Sequence, residues 1–388
     1  MAINPRVTAL LAEMTAWRHD FHMHPELQFD LPRTSAKVAE LLREFGCDEV
    51  VTGIGRSGVV GVIHGARAGG RVIGLRADMD ALPIHEATGL AYASVYAGKM
   101  HACGHDGHTA MLLGAAKYLA QTRDFAGKVV LIFQPAEEAG GGGQAMVQDG
   151  LMERFAIQEV YAMHNQPGLA VGQFATREGA VMAAADEFEI VLTGKGGHAA
   201  KPQYAIDPMP IAAQIILGLQ TIASRMVDPA EQMVLSVATI TTDSRIHNVI
   251  PQEVVMTGTV RCFSPAVRDL AEARMGQIVQ GIAASFGATA VLRYNRGYPA
   301  TVNAAAQTAI ALDAARAVAG PAAVDGDFPA LMAAEDFSYM LQARPGAYIF
   351  IGNGDSTSVH HPQFDFNDAA LPYGANWFVQ LAEKRLSA

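Results

Sequence analysis

The stretch Met100-His101-Ala102-Cys103-Gly104-His105-Asp106-Gly107-His108 constrains this chain more than any other. It brings three histidines, a cysteine and an aspartate into nine residues. A second cluster, Gln134-Pro135-Ala136-Glu137-Glu138, follows an apolar strand-type run about one βα unit later. Cys, His and Glu are ligands for first-row metal ions, and a glutamate left over beside such ions can move a proton. A fold that uses both clusters must deliver separate loops to one place. The strand ends of an α/β sheet do this.

The patterning agrees. Residues 4–22 read as an amphipathic helix, with Val7, Leu10, Leu11, Met14 and Trp17 near helical spacing. Thr34–Phe45 reads as a helix ending at Gly46. Strand-type runs follow at Gly58–His64, Arg71–Asp78 and Lys128–Gln134, with a helix, His108–Gln121, between the last two. Beyond residue 185 the order becomes strand Glu187–Thr193, helix Asp207–Ser224, strands Met233–Thr241 and Glu253–Arg261, helix Ala266–Phe286 and strand Thr289–Tyr294. This is the βαββαβ order of a ferredoxin-like unit. After Pro299 helices Ala304–Val318 and Ala334–Gln342, strand Ala347–Ile351 and a last helix ending near Lys384 restore the first pattern. The expected fold is α/β, with a catalytic domain of residues 1–184 and 297–388 and an inserted domain of residues 185–296.

At 388 residues, with 50% hydrophobic and 17% charged residues, the chain suits a soluble two-domain protein. A net charge of −10 argues against binding nucleic acid or an anionic membrane through bulk charge. Three cysteines make no disulfide framework and suit a reducing compartment. Charged residues interrupt the first helix as they would not in a signal peptide, and no uncharged apolar run is long enough to span a bilayer. A cytoplasmic protein with no membrane or nucleic-acid partner is expected.

In extended backbone Cys103 and His105 project the same way and could reach one ion. Glu137 and Glu138 are neighbours, so regular backbone would point one at metal and the other at a substrate water. His164, after the strand Glu159–Met163, could complete a metal's ligand set. Asp78 and Asp80 end a strand before Pro83, where orienting ligands and capping a turn are equally good uses. His360 and His361 share a late loop, and position alone does not choose between them. Gly194–Ala200, which holds His198, lacks the spacing of a phosphate loop. Arg261, near the Asn248–Pro251 segment, could pair with a substrate carboxylate or be a surface arginine.

Taken together, the segments HMHPEL (22–27), RADMDALP (76–83), MHACGHDGHT (100–109), QPAEE (134–138), GGHAAKP (196–202), NVIP (248–251), GTVR (258–261), EDF (335–337) and HHPQFDFND (360–368) resemble a family of metal-dependent amidohydrolases. That family includes hippurate hydrolase, bacterial N-acyl-amino-acid deacylases and plant auxin-conjugate hydrolases, and is related to co-catalytic zinc aminoacylases and carboxypeptidases. The resemblance implies a zinc-peptidase-like catalytic domain with an inserted dimerisation and lid domain. It also implies two divalent ions per subunit, Zn2+ or Mn2+ with Co2+ and Ni2+ as alternatives. By position the ligands would be Cys103, His105, Glu138, His164 and His360, with Asp78 and Asp80 supporting them. Glu137 would be the general base. His198 would reach a partner subunit's site in a homodimer, a tetramer being left open, and Asn248 and Arg261 would hold the substrate. The implied reaction is hydrolysis of an N-acyl amino acid. A dipeptidase or carboxypeptidase of the same chemistry is the alternative, ahead of a non-catalytic metal-binding dimer.

Overall fold

The computed structural model describes residues 3–387. They form two compact units. The first takes the chain up to Val181, Thr301–Pro329 and everything from Asp336 onward; the second takes Met182–Ala300 and Ala330–Glu335. The short segment Ala330–Glu335, expected in the first unit, thus clusters with the second.

The first unit is built on an eight-stranded sheet. Its order is Glu49–Ile54, Gly58–His64, Ala126–Gln134, Arg67–Asp78, Glu159–Gln166, Gly346–Gly352, Phe174–Ala175 and Val324–Asp325. The strands from Ala126–Gln134 to Gly346–Gly352 are parallel. Gly346–Gly352 is buried at every position, as a parallel strand covered on both faces must be. Helix His105–Thr122 is buried at nearly every position. It packs against helices Leu11–Met23, Pro32–Phe45 and Leu371–Arg385, so it is apolar on more than one face.

The topology positions the site. From Arg67–Asp78 the chain crosses to Ala126–Gln134 on one side, then to Glu159–Gln166 on the other. The crossovers diverge there, and the crevice lies beyond the carboxyl ends of these strands. Asp78, Gln134, His164 and Asn165 all stand at those ends.

Several elements differ from expectation. The first helix divides into Pro5–Thr8 and Leu11–Met23. Strand Glu49–Ile54 was not anticipated. Strand Glu159–Gln166 runs through His164 because it stays paired with Gly346–Gly352 as far as Gln166. The helix expected over Ala334–Gln342 begins only at Ser338. Asp336 cannot join it, since its side chain accepts from Gln134 Nε2 at 2.6 Å and from the Gly143 amide at 2.7 Å.

The second unit is a four-stranded antiparallel sheet in the order Met233–Thr242, Glu253–Cys262, Ala184–Thr193, Thr289–Arg296. Alternate residues of Ala184–Thr193 are buried. Its buried positions Phe188, Ile190 and Leu192 join Ile215 and Leu219 of helix Pro208–Thr221 and Met275 and Val279 of helix Pro265–Ser285 in a separate core. Strand order and connections are those of a ferredoxin-like unit.

The HPEL segment has a clear structural use. Helix Pro32–Phe45 follows Leu31, which cannot cap it. Glu26 does so from outside, its carboxylate accepting from the Arg33 amide at 3.1 Å and the Thr34 amide at 2.8 Å. These are otherwise unpaired first-turn donors. Glu26→Ala should lower the unfolding free energy by about 1 kcal/mol. Urea titration measures this, and an unchanged midpoint would remove the cap from the account.

Candidate metal centre

Gly104 takes a left-handed conformation (φ 88°) immediately before helix His105–Thr122. A Cβ there would stand 2.3 Å from Asn165 Nδ2, so the turn needs glycine. Cys103 and His105 therefore do not converge through extended backbone as expected. The turn at Gly104 brings them together instead. Donor atoms of Cys103, His105 and His164 lie within 4.8 Å of one another, as do those of Cys103, Glu138 and His360, and of His105, Glu137 and Glu138. These groups overlap, so the donors form one continuous cluster.

Glu137 and Glu138 also depart from expectation. They do not point apart: one Oε of each approaches His105 Nε2, at 4.0 and 3.9 Å. Residues 137–140 form a turn and not extended backbone, entered through the left-handed Ala136 (φ 53°). Asp80 then fixes both residues, accepting from the Glu137 amide at 2.9 Å and the Glu138 amide at 3.1 Å. His360 is also left-handed (φ 64°), and its Nε2 is 3.3 Å from Glu138 Oε1. His361 accepts from the Gln363 amide at 3.1 Å and joins no such group among the described residues.

The hydrogen bonds set the imidazole tautomers. His105 Nδ1 donates to the Asp80 carbonyl (2.8 Å), and His164 Nδ1 donates to the Asn165 carbonyl (2.6 Å). Each Nε2 is left with a lone pair directed into the cluster, the arrangement of a metal-ligating histidine. His105 Nε2 is buried with no hydrogen-bond partner. Such an atom fits a metal ion, since an unpaired buried polar atom otherwise costs stability.

Electrostatics make the same point. Burial disfavours a charged His105, but Asp78, Asp80 and Glu138 outweigh it and raise its pKa to about 10. Burial, then Glu138, Glu137 and Asp78, push the Cys103 thiol well above its usual range. Both shifts report a negative potential at this point. Such a potential favours a divalent cation there. Burial and His108 keep His164 neutral, with its pKa well below the usual value.

Other residues brace the cluster. Asp78 accepts from His108 Nδ1 at 2.7 Å and from the Arg76 guanidinium at 2.7 Å. His108 Nε2 in turn accepts from the Asn165 amide at 2.9 Å. Asp106, beside His105, is paired with His22 Nδ1 at 2.8 Å and Arg18 at 3.4 Å. Sequence reasoning gave no bracing role to Arg18, His22, Arg76, His108, Asn165 or Asp336. His22, Arg76, His108 and Asp336 lie in the segments that carry the family resemblance, which is the signal that could have found them.

In the second unit, His198 and Asn248 line one open cavity of about 520 Å³ with Asp243 and Gln252. The Ala200 amide donates to His198 Nδ1 at 3.1 Å, which leaves the proton on Nε2. Arg261 does not line this cavity; it is half-buried, its Nε donating to Thr259 Oγ1 at 3.2 Å.

A buried S, N and O donor cluster with a spare glutamate, beyond the carboxyl ends of a parallel sheet, defines a metallohydrolase. Residues 74–384 match the peptidase family M20/M25/M40, and the chain belongs to that family. It is 39% identical over 386 residues to the hippurate hydrolase of Campylobacter jejuni, covering 100% of both chains. It is 40% identical over 386 residues to the N-acetyl-L-cysteine deacetylase of Bacillus subtilis, covering 99% of this chain and 90% of that one. The solved structure of the Bacillus subtilis YxeP protein, a dinuclear metal-binding peptidase of the M20 family, superimposes with a TM-score of 0.85 at 34% identity over 98% of this chain and 99% of that one. The chain is therefore an amidohydrolase whose reaction is metal-dependent amide hydrolysis.

Burial disfavours a charged His22, but Asp106 and Glu86 outweigh it and raise its pKa from 6.5 to about 9. A raised histidine pKa stabilises the fold fully below about pH 6.5, and the contribution is lost as pH rises through about 9. Wild type should thus lose about 3 kcal/mol of its advantage over His22→Gln across this window. Chemical denaturation at stepped pH measures it, and parallel profiles would refute the pairing.

Proposed function

We propose that this enzyme hydrolyses N-acyl amino acids of the hippurate or N-acetyl-amino-acid type, releasing a carboxylic acid and a free amino acid. The reading is carried by Glu137, a buried carboxylate held beside the donor cluster by Asp80. Cys103, His105, Glu138, His164 and His360 would hold two divalent ions, Zn2+ or Mn2+, with Co2+ or Ni2+ as alternatives. Such ions, when bound, supply Lewis acidity toward a water and the amide carbonyl. Glu137 takes the water's proton and later delivers it to the leaving amine nitrogen. Asp78 and Asp80 keep the ligands and the base oriented.

On the substrate side, His198 donates from Nε2 toward the developing oxyanion. Asn248 holds the carbonyl region, and Arg261 pairs with the free α-carboxylate. We further propose that the second unit is a lid and dimerisation domain and that His198 serves the partner subunit of a homodimer. Its outer strand Met233–Thr242 has one unpaired edge and exposes Val234 and Ile240, which supports such pairing. No helix among the described residues is long and apolar enough to cross a membrane. The three free cysteines suit the reducing cytoplasm, which we propose as the location.

Glu137→Gln should keep its metal and lose roughly 10²–10⁴-fold in kcat; near-normal turnover would refute the base assignment. Chelator-stripped enzyme, given each metal in turn, should recover hydrolysis of N-acetyl or N-benzoyl amino acids ahead of free dipeptides. A preference for free dipeptides would favour the peptidase reading, for which YxeP is the precedent. Mixed dimers of His198→Ala and Glu137→Gln subunits should regain part of the activity that each homodimer lacks. Absence of recovery in verified heterodimers would remove the cross-subunit role.

A further inference from the structure

Asp336 and Arg76 are both fully buried. Neither belongs to the donor groups around His105, and the mechanism above uses neither. They join separate parts of the site. The Arg76 guanidinium reaches Asp78 Oδ2 at 2.7 Å, Asp336 Oδ1 at 3.1 Å and, through Nε, Gln134 Oε1 at 2.9 Å. Asp336 Oδ1 also accepts from Gln134 Nε2 at 2.6 Å, and its Oδ2 accepts from the Gly143 amide at 2.7 Å. Its side chain is thereby fixed by three donors from three segments. The Asp336 backbone amide, fixed with it, donates to Glu137 Oε1 at 3.4 Å.

We infer that Asp336 is a positioning residue for Glu137, anchored by Arg76, Gln134 and Gly143 so that its main-chain amide holds one oxygen of the catalytic carboxylate. The inference rests on the proposed role of Glu137 as base. Asp80 holds the Glu137 backbone, whereas Asp336 holds the end of its side chain. An Asp336→Asn substitution keeps size and backbone but replaces an acceptor with a donor facing the donors of Arg76 or Gln134. The amide then loses its anchor. Groups that orient the reacting residues of a metal site typically contribute 10–100-fold in activity or metal affinity.

The test uses metal-loaded enzyme and an N-acyl amino acid that wild type turns over. Asp336→Asn should lower kcat about 10–100-fold, leaving KM within a few-fold and metal stoichiometry unchanged. In the Glu137→Gln background the same substitution should cost almost nothing more, because both changes act through one group. An equal further loss in that background, or a loss confined to KM or metal content, would overturn the inference. Near-normal turnover of Glu137→Gln alone would instead overturn the base assignment, and this inference with it.

Should Asp336→Asn fail to fold, Gly143→Ala tests the same contact without altering a charge. A Cβ at Gly143 would lie 2.7 Å from the Asp336 carbonyl oxygen, so the anchor must shift. Loss of kcat with normal metal content and an unchanged thermal midpoint of the metal-free protein supports the positioning role. Full activity from a folded Gly143→Ala would overturn it.

Discussion

Negative charge buried around one histidine ring is the constraint on which this structure turns. Asp78, Asp80, Glu137 and Glu138 lie close around the ring of His105, with Cys103 beside them. Asp78 has Arg76 and His108 as partners. Asp80 accepts from the Glu137 and Glu138 amides, and Glu138 lies beside His360. Burying charge in this way is costly unless a counter-charge arrives. Nearby features suit a cation: the Nε2 atoms of His105 and His164 are aimed inward, and that of His105 is buried without a hydrogen-bond partner. The sheet topology allows this concentration because it brings several strand ends to one crevice.

The turn carrying Glu137 and Glu138 is braced from several directions. Asp80 takes both of their amides, and Asp336 reaches the Glu137 carboxylate. From the N-terminal segment, the Gln28 carbonyl accepts from the Ala136 amide at 3.1 Å, and both residues are left-handed, with φ of 52° and 53°. Two non-glycine residues in that region cost energy, and such backbone persists where the surroundings over-determine it. Here they turn both glutamates toward the same cluster. The segment 26–29 thus serves the site without holding any of its ligands.

Much of this was legible in order of sequence. Strand Gly58–His64, helix Pro32–Phe45 with its glycine stop, and the βαββαβ succession of the second unit follow from periodicity and breakers. The chemistry was legible in residue types, since few uses other than metal binding gather Cys, His and Glu at strand ends. Position did not reveal the backbone path. Cys103 and His105 meet through a left-handed glycine at a helix start, and Glu137 and Glu138 lie in a turn where strand alternation does not apply. Nor did it reveal that Glu26 caps a helix, or that Asp336 refuses one.

The sequence by itself determined the periodic elements and the inventory of donors, because hydrophobic spacing and side-chain chemistry are local properties. Only the tertiary structure decided which histidine faces Glu138, which ring nitrogen points into the cluster and which groups hold Glu137. Those choices depend on groups such as Arg76 and Asp336, 260 residues apart, coming within 3.1 Å. Hydrogen bonding and Coulomb interaction act over a few ångströms in space, and distance along the chain does not encode that proximity.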